Sequence, residues 1–181
     1  ELMSKLVAEL LSYSKSGLQG AAVKLEPVNL RDLVERVVQR ETSPEKPKVE
    51  VAIDEQLTAK AQPELLFRAV ANVVRNSLDY AADNGKIGIA AEKNGNHVAL
   101  TISDDGPGVP DEMLEKIFDP LFRVQDDRSR ESGGTGLGLA IVKTCVEACG
   151  GHVFARNREP NGLEVVIKVD KPRHKTTAGL C

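Results

Sequence analysis

Two stretches of alternating polar and apolar residues, 86–92 and 97–103, flank Asn94-Gly95-Asn96, and this unit limits the fold more than any other in the chain. Alternation sends the apolar side chains of each stretch to one face, as a half-buried strand requires. Asn-Gly supplies the backbone freedom that reverses the chain into an antiparallel neighbour. A hairpin with one polar and one buried face follows.

Around it the apolar period changes to that of helices. Asn29 is placed to cap a helix through Leu30, Leu33, Val34, Val37 and Val38, with Asp32 in its first turn and its end before Pro44 and Pro47. Pro63 fits the first position of a long helix striped by Leu66, Val70, Val73, Val74 and Leu78. Residues 137–149 predict a third helix and 111–118 a short one. Residues 48–53 and 57–61 predict short strands, and 153–157 with 163–169 a closing hairpin around Pro160-Asn161-Gly162. Residues 23–28 read as an extended segment ending at Pro27. Before it, Leu2 or Met3, Leu6, Leu10 and Tyr13 predict an amphipathic helix over 1–16, broken by Gly17 and Gly20. The chain thus divides into a helical segment and linker at 1–20, a main domain at 21–170, and a basic tail at 171–181 with no apolar pattern, expected to be disordered.

Composition bounds the function. With 41% hydrophobic and 28% charged residues in 181, one main globular domain is expected. A net charge of -3 argues against nucleic-acid binding by phosphate neutralisation, and 3% aromatics without Trp supply no base-stacking platform. No apolar run approaches the roughly 18 residues of a membrane span, and no signal peptide is recognisable. The opening on Glu1, in mid-pattern, leads us to expect a fragment whose targeting parts lie elsewhere. Cys145, Cys149 and Cys181 fit a reducing compartment. A ligand set of Cys145, Cys149 and His152 does not follow usual zinc spacing, so no metal-thiolate site is expected.

Three clusters interrupt the regular elements. Asn72 and Asn76 lie four apart on one helix face, followed by Asp79 and Tyr80. An amide oxygen ligates a hard cation without adding negative charge beside phosphates, although such a pair also suits a solvated face. Asp104-Asp105-Gly106-Pro107-Gly108 follows a strand, either as a plain turn or as a carboxylate aimed at a ligand's amino group with glycines permitting close approach. Gly133-Gly134-Thr135-Gly136-Leu137-Gly138-Leu139 opens a helix, converging backbone N–H groups and the positive helix end on one anion-sized space. It matches neither the P-loop nor the dinucleotide spacing.

The order of the clusters, with Phe118, Pro120 and Phe122 between the second and third, resembles the N, G1, F and G2 boxes of sensor histidine kinases. The resemblance runs from about residue 29 to 169. It extends to Glu9-Leu10-Leu11-Ser12-Tyr13-Ser14-Lys15, similar to the end of the dimerisation and phosphoacceptor hairpin, while Phe122-Arg123-Val124 and residues 133–142 resemble most the envelope-stress kinases of the Cpx type. It implies an α/β two-layer sandwich, about three helices on a mixed sheet, of the Bergerat or GHKL type with a left-handed crossover. It implies ATP and magnesium, with Asn76 as the magnesium ligand and Asn72 supporting the phosphates or the ion. Asp104 would accept from the adenine amino group, helped by Gly106 and Gly108, with Tyr80 beside the nucleotide. Gly134, Thr135, Gly136, Leu137 and Gly138 would shape the phosphate end. Residues 118–135 would form a lid whose Arg128 and Arg130 are candidates for the γ-phosphate. The implied partners are the phosphoacceptor hairpin, a response-regulator receiver domain and a second copy in a homodimer, on the cytoplasmic side of an inner-membrane sensor.

Two departures qualify the match. Asp79 stands where relatives often carry a base. His97, His152 and His174 lack the flanking sequence of an acceptor helix, so this chain is expected to bind ATP without its own substrate histidine and to show no general base. Two other readings remain: a conformational ATPase of the wider superfamily, for which Glu64 lies a full two turns before Asn72, and a degenerate binding scaffold.

Overall fold

The computed structural model describes residues 23–43, 47–81, 85–124 and 135–172. The expected helix over 1–16, the tail from 173, and Gly134, Arg128 and Arg130 lie outside these residues.

β1 (Glu26–Asn29) passes directly into α1 (Leu30–Glu41). Asn29 makes the junction: its Oδ1 accepts from the Asp32 N–H at 3.0 Å, capping the helix, while its Nδ2 donates to the Glu55 carbonyl at 2.6 Å. The extended segment does not end at Pro27, because β1 has a single neighbour, β3 (Thr58–Ala61), and the missing Pro27 N–H is tolerated in a two-stranded ribbon. Replacing Asn29 by Ala is expected to cost about 1 kcal/mol in urea unfolding, with both the cap and the link to Glu55 lost.

β2 (Lys48–Ala52) lies between α1 and β3 in sequence. α2 (Pro63–Tyr80) starts as expected at Pro63, with Gln62 Oε1 accepting from the Leu65 N–H at 2.6 Å. β4 (Lys86–Asn94) and β5 (His97–Ser103) form the expected hairpin, with a tighter turn than three residues. Asn94 pairs with His97, and Gly95-Asn96 alone turns the chain, Gly95 at φ +62°. The short helix expected over 111–118 is instead two 3₁₀ turns, Asp111–Met113 and Lys116–Phe118. The tighter winding turns Ile117 and Phe118 into the core. α3 (Gly138–Ala148), β6 (His152–Asn157) and β7 (Leu163–Asp170) complete the chain.

Five strands form one sheet in the order β2-β4-β5-β7-β6, parallel between β2 and β4 and antiparallel elsewhere. Leu30, Val34 and Val37 of α1, Leu66, Val70 and Val74 of α2, and Ile141, Val142 and Cys145 of α3 share one core with Ile87, Ile89, Leu100, Ile102, Val165 and Ile167 of the sheet. This is the expected layer of three helices on a mixed sheet. Cys145 and Cys149 are buried residues of the α3 region and are not joined in a disulfide. No described helix is long and apolar enough to cross a membrane.

Candidate functional site

The apolar layer is interrupted at one place by polar side chains. Ser77 and Asp104 are the buried polar side chains among the described residues, 2% and 3% exposed, and they meet. Ser77 follows Asn76 on α2, and Asp104 follows directly on β5, the middle strand of the sheet. The Ser77 hydroxyl donates to the Asp104 carboxylate. The carboxylate Oδ1 also accepts from the Gly106 N–H at 3.0 Å and the Leu163 N–H at 3.2 Å. Burial nevertheless wins: desolvation raises the Asp104 pKa above its ordinary 3.8, against the opposing pull of these three donors, and Asp105 adds to the rise by repulsion. Asp105, the neighbouring acid, instead accepts from the Lys86 N–H at 3.0 Å.

The G-rich turn after β5 is held from a distant hairpin. The Asn157 side chain accepts from the Val109 N–H at 2.9 Å and donates to the Val109 carbonyl at 2.6 Å, as a neighbouring strand would. Arg158 Nη1 donates to the Asp104 carbonyl at 3.1 Å and Asn161 Nδ2 to the Asp105 carbonyl at 2.8 Å. A Cβ on Gly106 would stand 2.5 Å from the Tyr80 carbonyl oxygen, so only glycine lets this turn close on the end of α2.

A cleft opens from Asp104 along α2. It is lined by Asn72, Asn76, Asp79, Tyr80, Asp104 and Gly108, and across from them by Phe122, Arg123, Thr135, Gly136 and Gly138. Asn72 Nδ2 donates to the Arg68 carbonyl at 2.8 Å. This leaves Oδ1 toward the start of α3, where a Cβ on Gly138 would be 3.7 Å away. The cleft thus has a buried acceptor at one end and amide oxygens beside a helix N-terminus at the other. Such an end attracts anions.

Most residues singled out from sequence converge here. Asn72, Asn76, Tyr80, Asp104, Gly108, Thr135, Gly136 and Gly138 line the cleft. Gly106 supports it from behind, and the Leu137 side chain turns into the core at 1% exposure, its N–H donating to Thr135 Oγ1 at 3.4 Å. Glu64 is not among the lining residues. Sequence reasoning missed Ser77, Asn157, Arg158 and Asn161. The one available signal was the position of Ser77 beside Asn76, and the other three act across the fold.

Residues 61–173 match the family model described as histidine kinase-, DNA gyrase B-, and HSP90-like ATPase. The sensor histidine kinase CpxA of Escherichia coli K12 is 46% identical over 105 residues, 58% of this chain and 22% of that protein. The signal transduction histidine-protein kinase BaeS of the same strain is 30% identical over 174 residues, 94% of this chain and 37% of its own length. The chain therefore spans well under half of these relatives. Among solved structures, the mycobacterial sensor histidine kinase MprB superposes with a TM-score of 0.68 at 28% identity, covering 83% of this chain and 99% of that one. The histidine kinase domain of the E. coli osmosensor EnvZ gives 0.62 at 28%, covering 91% and 98%. Motif order, sheet topology and the cleft agree with the match over 61–173: the chain belongs to the family of histidine kinase-, DNA gyrase B- and HSP90-like ATPases, with sensor histidine kinases as its relatives.

Proposed function

We propose that the chain is the ATP-binding catalytic domain of a sensor histidine kinase, passing the γ-phosphoryl group of ATP to a histidine of a phosphoacceptor hairpin. The bond from phosphorus to the ADP oxygen breaks, a bond to an imidazole nitrogen forms, and the imidazole proton is released. A response-regulator receiver domain then takes the phosphoryl group. The observation that carries this reading is the buried Asp104 carboxylate at the closed end of a cleft whose other end is anion-attracting. Asp104 accepts from the adenine amino group, with Ser77 and the Gly106 and Leu163 N–H groups fixing its orientation. Tyr80 borders the base. Gly136, Gly138 and the start of α3 receive the phosphates, aided by Asn72.

The donors fit a magnesium ion. Among the described residues no group of three or more His, Cys, Asp and Glu forms a cage, and magnesium shared with substrate phosphates needs only one or two protein oxygens, keeping waters for the rest. Asn76 would hold it, and bound magnesium neutralises phosphate charge. This chain's own residues position and orient, which is most of what phosphoryl transfer asks of a protein. His97 and His152 begin β5 and β6 and do not line the cleft, so the acceptor histidine comes from outside residues 23–172. As part of such a kinase, the chain would stand on the cytoplasmic side of a membrane sensor and work as a homodimer.

Calorimetric titration tests the assignment of Asn76. Asn76→Ala is expected to weaken Mg-ATP binding at least about tenfold, a loss typical of disturbed metal sites, and to change little when magnesium is chelated. Equal loss with and without magnesium would remove the metal role, and no nucleotide binding by the unmodified protein would remove the whole reading.

A further inference from the structure

The α2 wall of the cleft carries a cation that none of these roles uses. Arg75 lines the cleft three residues after Asn72, hence beside it across one helical turn. Its guanidinium is held from behind. Nε donates to Glu41 Oε2 at 3.2 Å, and Nη2 donates to Oε1 and Oε2, both at 3.1 Å. Glu41 ends α1 with its side chain only 9% exposed, whereas that of Arg75 is 37% exposed, so the carboxylate is the buried anchor and the guanidinium the part that reaches open space. Arg40 adds a second cation 3.5 Å from Glu41 Oε1.

One edge of Arg75 is thereby fixed. Its bonds to Glu41 use Nε and Nη2, and Nη1 remains as a donor on a planar group that is always charged. Arg75 stands at the end of the cleft marked by Asn72 and Gly138. Tyr80, five residues along α2, is about 7.5 Å farther on at the helical rise and belongs to the Asp104 end. A charged donor at the anion end, its Nε and Nη2 held by a carboxylate behind it, is placed to give a charge-assisted hydrogen bond to the phosphate that lies farthest from Asp104.

We propose that Arg75, aimed by Glu41, binds the terminal phosphate and makes the cleft prefer a nucleoside triphosphate to a diphosphate. This rests on the nucleotide reading above. Arg75 contacts the substrate, and Glu41 is a positioning residue.

The test is calorimetry of the whole chain with Mg-ATP and Mg-ADP. For Arg75→Gln, ATP affinity is expected to fall about tenfold, the size of one lost charge-assisted hydrogen bond, while ADP affinity changes less than about threefold. Arg75→Gln takes three hydrogen bonds from the Glu41 carboxylate and can impair folding. The double variant Glu41→Gln/Arg75→Gln removes both charges and is expected to show the same fall in the ATP-to-ADP preference. Glu41→Gln alone retains the cation without its aim and is expected to lower that preference by about threefold. An unchanged preference in the double variant, with the unmodified protein binding both nucleotides, overturns the proposal. An unchanged preference in Glu41→Gln overturns the positioning role. If the unmodified protein binds neither nucleotide, it is the kinase-domain reading that fails.

Discussion

Replacing Asp104 by Asn is expected to weaken ATP binding by two to three orders of magnitude while leaving the fold intact. The amide oxygen can keep the bonds from the Gly106 and Leu163 N–H groups that Oδ1 now accepts. The amide nitrogen then replaces the other carboxylate oxygen, so a donor confronts the adenine amino donor. Losing a charged acceptor and leaving donors unpaired costs roughly 3–4 kcal/mol together. Guanine nucleotides, which offer a carbonyl at that position, should lose less. A calorimetric series with ATP and GTP measures both, and equal losses for the two would remove Asp104 from base recognition.

The same variant reports on stability. The native state holds the Asp104 proton more tightly than the unfolded chain does, because desolvation raises its pKa from 3.8. Well below pH 3.8 both states are protonated and burial carries no ionic penalty. As pH rises through the raised native value, the native state binds more protons than the unfolded one, and stability falls. Above it the penalty is constant. The stability of the unmodified protein relative to Asp104→Asn should therefore decline from about pH 4 upward and then level off, as read by urea unfolding across pH 4–8. A relative gain with rising pH would mean that the three hydrogen bonds outweigh desolvation.

The second large effect belongs to Gly162→Ala, expected to cost about 2–4 kcal/mol, or roughly 6–12 °C in Tm for a domain of this size. Gly162 has φ +115°, where side chains are strained, and an added Cβ would collide with the Asp104 carbonyl oxygen and stand 3.0 Å from its carbon. Those obstacles are backbone atoms with no rotamer to yield. Because the collision moves Asp104, nucleotide affinity should drop as well. Gly95 is the control. Its φ is +62° but nothing lies within 4 Å of an added Cβ, so Gly95→Ala should cost only about 1 kcal/mol. Similar losses at both positions in thermal melts would refute the collision argument.

The elements were legible where the signal is local. Asn29 and Pro63 mark helix starts because a cap or a fixed φ acts within one turn. The β4–β5 hairpin was legible from alternation and the turn-forming stretch Asn94-Gly95-Asn96, although the two-residue loop Gly95-Asn96 needed the pairing of Asn94 with His97. The stretch 111–118 misled because its apolar residues fit a helix equally well, and the competing demand, bringing Ile117 and Phe118 into the core, comes from the rest of the fold.

Among the described residues the sequence by itself determined the three α-helices and seven strands, their order, and, through the spacing of three motifs, which residues of α2, the turn after β5 and the start of α3 were worth joining. Periodicity, caps and motif spacing act over a few residues, so they survive without a structure. Only the tertiary structure decided that Asp104 is buried against Ser77 and Leu163 while Asp105 turns to Lys86. It also decided that Asn157 grips a turn 48 residues away and that Glu41 reaches Arg75 across 34. Those outcomes depend on which strands and helices become neighbours, and a hydrogen bond between distant residues leaves no period in the chain that makes it.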